Sequence, residues 1–161
     1  MRALTIGLLA MLTVPAHADD AILRQQIVGT WKIVSAVLED QTTKERTLVY
    51  GEHPHGIQIA TPEGRWLALM TAENRPVPKT DEERAQALKS MIAYTGRYRV
   101  ENGNVITKVE AAWNEAWVGT EQVRAIRLDG DRLLLQSPPM PHPNIGGRVV
   151  RVIVEWEREK D

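Results

Sequence analysis

Arg97-Tyr98-Arg99-Val100-Glu101-Asn102-Gly103-Asn104-Val105-Ile106-Thr107-Lys108-Val109-Glu110-Ala111-Ala112-Trp113 reads as two strands and the turn between them. Asn-Gly suits a two-residue hairpin turn, because both central positions need positive φ. After the turn the residues alternate. Val105, Thr107, Val109, Ala111 and Trp113 are expected on one face, Lys108 and Glu110 on the other. A wall that is apolar inside and charged outside is what an antiparallel sheet with one face in water requires.

The same period of two recurs on both sides of this hairpin. Strands are expected at Thr30–Leu38, Thr47–Tyr50, Ile57–Thr61 and Arg65–Thr71 before it, and at Glu121–Leu128, Arg132–Gln136 and Arg148–Arg158 after it. Pro62-Glu63-Gly64 and Asp129-Gly130-Asp131 have turn composition. In the first strand Trp31, Ile33, Ser35 and Val37 share a face; in the last, Val150, Val152, Val154, Trp156 and Arg158 do. A lead-in helix is expected over residues 21–27. A second starts at the N-cap Thr80, with Glu83 completing a capping box, and carries Ala85, Leu88, Met91 and Ile92 as its apolar stripe to near Tyr94. Short strands at regular spacing predict a mainly β chain: an antiparallel up-and-down sandwich or barrel of about eight to ten strands with one α-helix in a connection.

Met1-Arg2, the apolar run Ala3–Val14 and the small-x-small site Ala16-His17-Ala18 have the layout of a cleavable export signal. The run is shorter than the roughly 20 residues of a membrane-spanning helix. The expected organisation is a signal over 1–18 and one barrel domain over 19–161, exported to the periplasm in a Gram-negative cell. The 20 basic and 21 acidic residues leave no electrostatic footprint for nucleic acid or anionic lipid. No later segment is long and apolar enough to span a bilayer as a helix. With no cysteine, disulfides, thiol chemistry and Cys-ligated metal are excluded.

Ser35, Thr107 and Arg124 fall in the inward phase of their strands. Polar groups inside a small barrel cost free energy unless paired or wet. They read either as the lining of a cavity or as groups bonded to nearby backbone, with Arg124 reaching the rim. Trp66, Trp113, Trp117, Tyr94 and Tyr98 are expected around one mouth, where flat apolar rings with a single donor suit a mostly apolar ligand. The candidate ligand-binding set is therefore Ser35, Trp66, Tyr98, Thr107, Trp113, Trp117 and Arg124, with Arg124 placed to meet a carboxylate or carbonyl.

Several segments, in this order over nearly the whole chain after the signal, resemble a bacterial and fungal lipocalin-like domain family. They are Val28–Ser35, Thr61–Gly64, Tyr94–Tyr98, Trp117–Arg124, Leu128–Leu133 and Val154–Arg158. The resemblance implies a closed barrel with a cavity and no particular reaction. It also implies a plug. In lipocalins a Gly-x-Trp tryptophan closes one end beneath a late basic residue, here Trp31 and Arg158, an arrangement favoured by cation–π attraction. Where family members often carry His on the long strand, this chain has Thr107.

Other chemistry is sparse. His53 and His55 flank Pro54 and share a side, but a third ligand would have to come from Glu52 or His142, and histidines beside prolines are usually solvated loop residues; no metal is expected. Glu110 is expected to pair with Lys108 at the surface. No nucleophile–His–carboxylate set and no phosphate loop appears. The leading expectation is an exported binding or carrier protein for a small apolar or amphipathic molecule, needing no cofactor. The alternatives are a cofactor-free isomerase or cyclase using Tyr98, Thr107 and Arg124 in the same cavity, and an envelope interaction module using the helix at 80–94 or the Ser137–Gly147 loop.

Overall fold

A computed structural model describes residues 16–141 and 147–160. Met1–Val14 of the expected signal, and His142, lie outside the described residues. The strands are β1 (Gly29–Asp40), β2 (Arg46–Leu48), β3 (His55–Ala60), β4 (Arg65–Thr71), β5 (Met91–Glu101), β6 (Asn104–Ala112), β7 (Glu121–Asp129), β8 (Arg132–Gln136), β9 (Met140–Pro141) and β10 (Val149–Arg158). All pairings are antiparallel. Eight strands follow one another as β1-β3-β4-β5-β6-β7-β8-β10, and β10 pairs back with β1, closing an antiparallel barrel. β2 and β9 add short ladders on β1 and β10 at the open end.

Inside and outside follow the alternation except at two bulges. The β1–β10 register shifts between Ile33 and Ser35. Trp31 and Ile33 face the core as expected, but Ala36, Leu38 and Asp40 then continue the inner face. Ser35 and Val37, expected inside, are turned to the outer side, because one extra residue reverses every side chain beyond it. The second shift lies where Gly96 pairs with Val109 and Thr95 with Ala111, leaving Glu110 unmatched. A Cβ on Gly96 would collide with the Lys108 carbonyl, so only glycine admits this approach. Beyond the bulge Ala112 pairs with the buried Tyr94 and faces in. Ala111 and Trp113, expected inside, line the outer wall with Leu67 and Leu69.

Among the described residues two α-helices attend the barrel. α1 (Ala16–Gln26) begins earlier than the expected lead-in helix and covers the closed end. Its Asp20 carboxylate accepts from Asn102 N at 2.7 Å and Gly103 N at 2.9 Å, so the hairpin turn and the helix hold each other. α2 (Asp81–Lys89) has the expected capping box between Thr80 and Glu83 but stops at Lys89 rather than near Tyr94. Met91 and Ile92 instead open β5, paired with Thr71 and Met70; strand pairing wins over the helical stripe, and no residue of α2 is buried. No helix among the described residues is long and apolar enough to cross a membrane.

Two cations stitch the closed end: Arg24 on α1 donates to Pro62 O at 2.8 Å and lies over the Tyr98 ring, and Arg158 ties the plug to the end of α1. Trp31 is fully buried and its Nε1 donates to Ile27 O at 2.9 Å. The Arg158 guanidinium carbon stands 4.1 Å from the Trp31 ring centroid. The same guanidinium donates to Val28 O at 2.8 Å and Gln26 O at 2.6 Å, carbonyls at the end of α1 that have no helical partner. Arg158→Ala should therefore cost about 2 kcal/mol and lower Tm by roughly 5 °C. Arg158→Lys should recover only part, since an ammonium lacks the planar fork. An unchanged Tm in the alanine variant would show that the helix end holds without the arginine.

Candidate functional site

The pairings define a ring of inward side chains at mid-height. Trp156 on β10 pairs with Ile33, and Trp31 on β1 pairs with Gln58 on β3, which makes Ile33 and Gln58 diagonal neighbours. Gln58 is in turn diagonal to Trp66 on β4, and Trp66 to Tyr98 on β5, where the two rings meet edge-on at 5.7 Å. Tyr98 pairs directly with Thr107 on β6, and Thr107 is diagonal to Arg124 on β7. Leu135 on β8 lies diagonally between Arg124 and Trp156 and completes the circuit. Diagonal steps of this kind are the stagger that closure of a tilted barrel demands.

This ring is unusually short of internal hydrogen bonds. Gln58 is fully buried, and neither its Oε1 nor its Nε2 has a partner. The buried indole Nε1 atoms of Trp66 and Trp156 are likewise unpartnered. The other members are accounted for differently. Tyr98 OH donates to Thr61 O at 2.9 Å, and burial raises its phenol pKa against the pull of Arg24. Thr107 is buried as expected. Arg124 Nη1 donates to Val123 O at 2.7 Å and Nη2 to Gln122 Oε1 at 3.2 Å. It sits where β7, above Ala125, has left its pairing with β8, and it supplies a donor to the uncovered strand.

One residue toward the open end, the inner face carries the small Ala36, Ala68 and Ser137 beside the buried Val109 and Val154. Gly56 and Gly96 also lie at this level, where the Leu69 and Lys108 carbonyls fill the space a Cβ would take. Above them the aromatic groups return: Tyr94 and Trp117 meet edge-on at 5.5 Å, and Trp117 meets Trp113 at 4.7 Å. Trp117 is half-buried on a 3₁₀ turn, Glu115–Trp117, which the Asn114 side chain caps at Ala116 N. Tyr50 also packs on the core near this end, and burial pushes its phenol up to about 12.

The expected site residues thus separate. Trp66, Tyr98, Thr107 and Arg124 come together in the ring. Trp117 and Tyr94 form a second group near the open end, so the aromatics do not share the single mouth expected of them. Ser35 and Trp113 are carried to the outer wall by the bulges. Gln58 and the polar end of Trp156 went unrecognised. Gln58 lies between Ile57 and Ile59, an alternation that reads as Gln outward; its pairing with Trp31 and Ala68 puts it inside.

A cleft of about 520 Å³ lies between α2 and the Glu73–Pro76 segment, outside this interior. Of its four charged groups, Glu73, Arg75, Glu82 and Glu83, three are engaged by the protein itself. Glu73 accepts from Glu52 N and His53 N, each at 3.1 Å, Arg75 donates to Ala87 O at 2.8 Å, and Glu83 caps α2. The unmet hydrogen-bonding capacity is in the barrel, which makes the barrel the candidate site. His55 is exposed at the start of β3, and among the described residues no three His, Asp or Glu come together as metal ligands. Glu110 pairs with Arg65 at 2.7 Å rather than with Lys108, whose ammonium donates to Gly119 O.

A family model described as a lipocalin-like domain matches residues 28–159. The chain belongs to the lipocalin-like domain family. Among curated proteins it is similar to the 4'-hydroxy-3'-methoxypropiophenone carrier protein ppsC of Aspergillus oryzae. The two are 36% identical over 88 residues, 49% of this chain and 77% of the relative. In this lipocalin-like barrel Trp31 and Arg158 occupy the closed end, and the unpartnered ring lies above them.

The Tyr50 phenol gives the barrel a pH signature. An exposed phenol ionises near 10, the one in the fold near 12. Below about pH 10 both states hold the proton and stability is complete. Between about 10 and 12 the unfolded chain releases it first, so stability falls as pH rises. Tyr50→Phe should flatten that alkaline loss when Tm is compared at about pH 9 and about pH 11. Equal losses in both proteins would mean that the ring is wetted in solution.

Proposed function

We propose that the protein is a carrier for a small, mainly apolar molecule held inside the barrel, between the mid-height ring and the Tyr94–Trp117 pair. The observation that carries the reading is the set of buried polar atoms on Gln58, Trp66 and Trp156 that no protein group satisfies. Toward the open end the interior continues with Ala36, Ala68, Val109, Ser137 and Val154, and the edge-on rings of Tyr94 and Trp117 beyond them suit an aromatic or otherwise flat guest. Membership of the lipocalin-like family and the similarity to a protein named as a carrier support the same reading. The carrier would act in the periplasm if residues 1–18 work as an export signal.

The reading is tested by native mass spectrometry of the gently purified protein and by tryptophan-fluorescence titration with acetophenone as the probe. Trp117→Ala should weaken acetophenone binding roughly tenfold, the loss expected for one aromatic wall. Leu67→Ala, on the outer wall and away from Trp117, should leave it within about twofold. Equal effects of the two substitutions would place the guest outside the barrel. An empty mass together with no titration response would remove the carrier reading.

A further inference from the structure

Trp31, Trp66 and Trp156 are three buried tryptophans facing the same interior, and they differ in one respect. The Trp31 indole is bonded to Ile27 O, while the other two are not bonded at all. Gln58 stands between them in the ring with an unused donor and an unused acceptor. All four orphaned atoms come from β10, β3 and β4, which lie together on one side of the closed order with only β1 between β10 and β3. Leaving such a group unpaired in the folded state is unfavourable. A set on one wall is a recognition surface waiting for its complement.

Building on the carrier reading, we infer that the guest is a neutral molecule carrying one hydrogen-bond donor and at least two acceptor sites. The Gln58 carboxamide takes a donor on Oε1 and offers N–H from Nε2. The Trp66 and Trp156 indoles offer N–H only, so they require acceptors. A hydroxyl beside or across a flat frame from a carbonyl meets this demand; a hydrocarbon, or a molecule with acceptors alone, does not. An ionised guest is disfavoured. The one cation in the ring, Arg124, is engaged with Val123 O and Gln122 Oε1, and no carboxylate belongs to the ring. Hydroxylated aryl ketones are one chemical class that fits.

The test is a matched probe series: para-hydroxyacetophenone, para-methylacetophenone, para-ethylphenol and the hydrocarbon isostere para-ethyltoluene. Each is titrated calorimetrically into the full-length protein and into Gln58→Met. The ratio of the para-hydroxyacetophenone affinity to the para-ethyltoluene affinity should fall at least tenfold on Gln58→Met, with the hydrocarbon affinity kept or raised. The two singly functional probes should lie between. A ratio unchanged within twofold overturns the inference, for internal water then satisfies the amide, while the carrier reading stands. If none of the four probes binds the unaltered protein, the carrier reading falls and the inference with it. A second measurement needs no guest. Gln58→Met should leave Tm unchanged or raise it, because no protein partner is lost. A marked fall would show that the amide is bonded within the fold and would also overturn the inference.

Discussion

Everything in this molecule depends on β1 meeting β10. A sheet of seven strands could fold from consecutive hairpins alone, but it would expose two edges and could not enclose a volume. β1 resolves this by being long and by changing partner along its length. Its first residues pair with β3, its later residues with β2, and the whole strand from Trp31 to Asp40 with β10. Such a strand must curl, and the bulge at Ser35 provides the bend. The cost of that bend is the reversed phase beyond it. The benefit is that the chain's first and last strands become neighbours, which brings Arg158 over Trp31 and onto the end of α1. One contact therefore joins barrel closure, the plug and the lead-in helix.

Closure also explains why the polar ring can exist. In an open sheet a buried glutamine would find an edge carbonyl or a water. In a closed barrel the strand backbones are bonded to each other, and an inward side chain reaches a free carbonyl only near a barrel end or where a ladder stops, as Trp31, Tyr98 and Arg124 do. Gln58, Trp66 and Trp156 are held in that position by strands whose own ladders are complete. The deficit is local, and the surrounding hydrogen bonds and apolar contacts maintain the fold despite it. A guest that satisfies these atoms stabilises the folded state by mass action, so occupancy and stability are linked.

Much of the architecture was legible in the sequence because turns and alternation are local signals. Asn102-Gly103, Pro62-Glu63-Gly64 and the Thr80–Glu83 capping box act through neighbouring residues, and the structure has them where they were expected. The last strand kept its phase throughout, which is why Val150, Val154 and Trp156 were read correctly as buried. What failed was nonlocal. A bulge is set by the partner strand, so Ser35 and Trp113 were placed on the wrong side. Met91 and Ile92 match a helical stripe and a strand equally well, and the pairing with β4 decides between them. The candidate site was half legible. Trp66, Tyr98, Thr107 and Arg124 do share a ring, because each lies on a strand, or part of a strand, without a phase error before it. Gln58 was hidden by its isoleucine neighbours, which cover the outside of the wall instead of the core.

The contrast between the α2 cleft and the barrel interior carries a general point about locating sites. Volume alone favours the cleft. But Glu73, Arg75 and Glu83, three of the four charged side chains that line the cleft, are each consumed in holding a loop or a helix end. A guest there would have to compete with bonds already made. Inside the barrel the sign is reversed: the amide and the two indoles have no protein bond to lose, so a complementary guest would not have to displace one. Selectivity should then come from the ring and affinity from the apolar walls above it. Those two tasks are physically separable here, because the polar atoms are gathered on one side and at one height of the barrel.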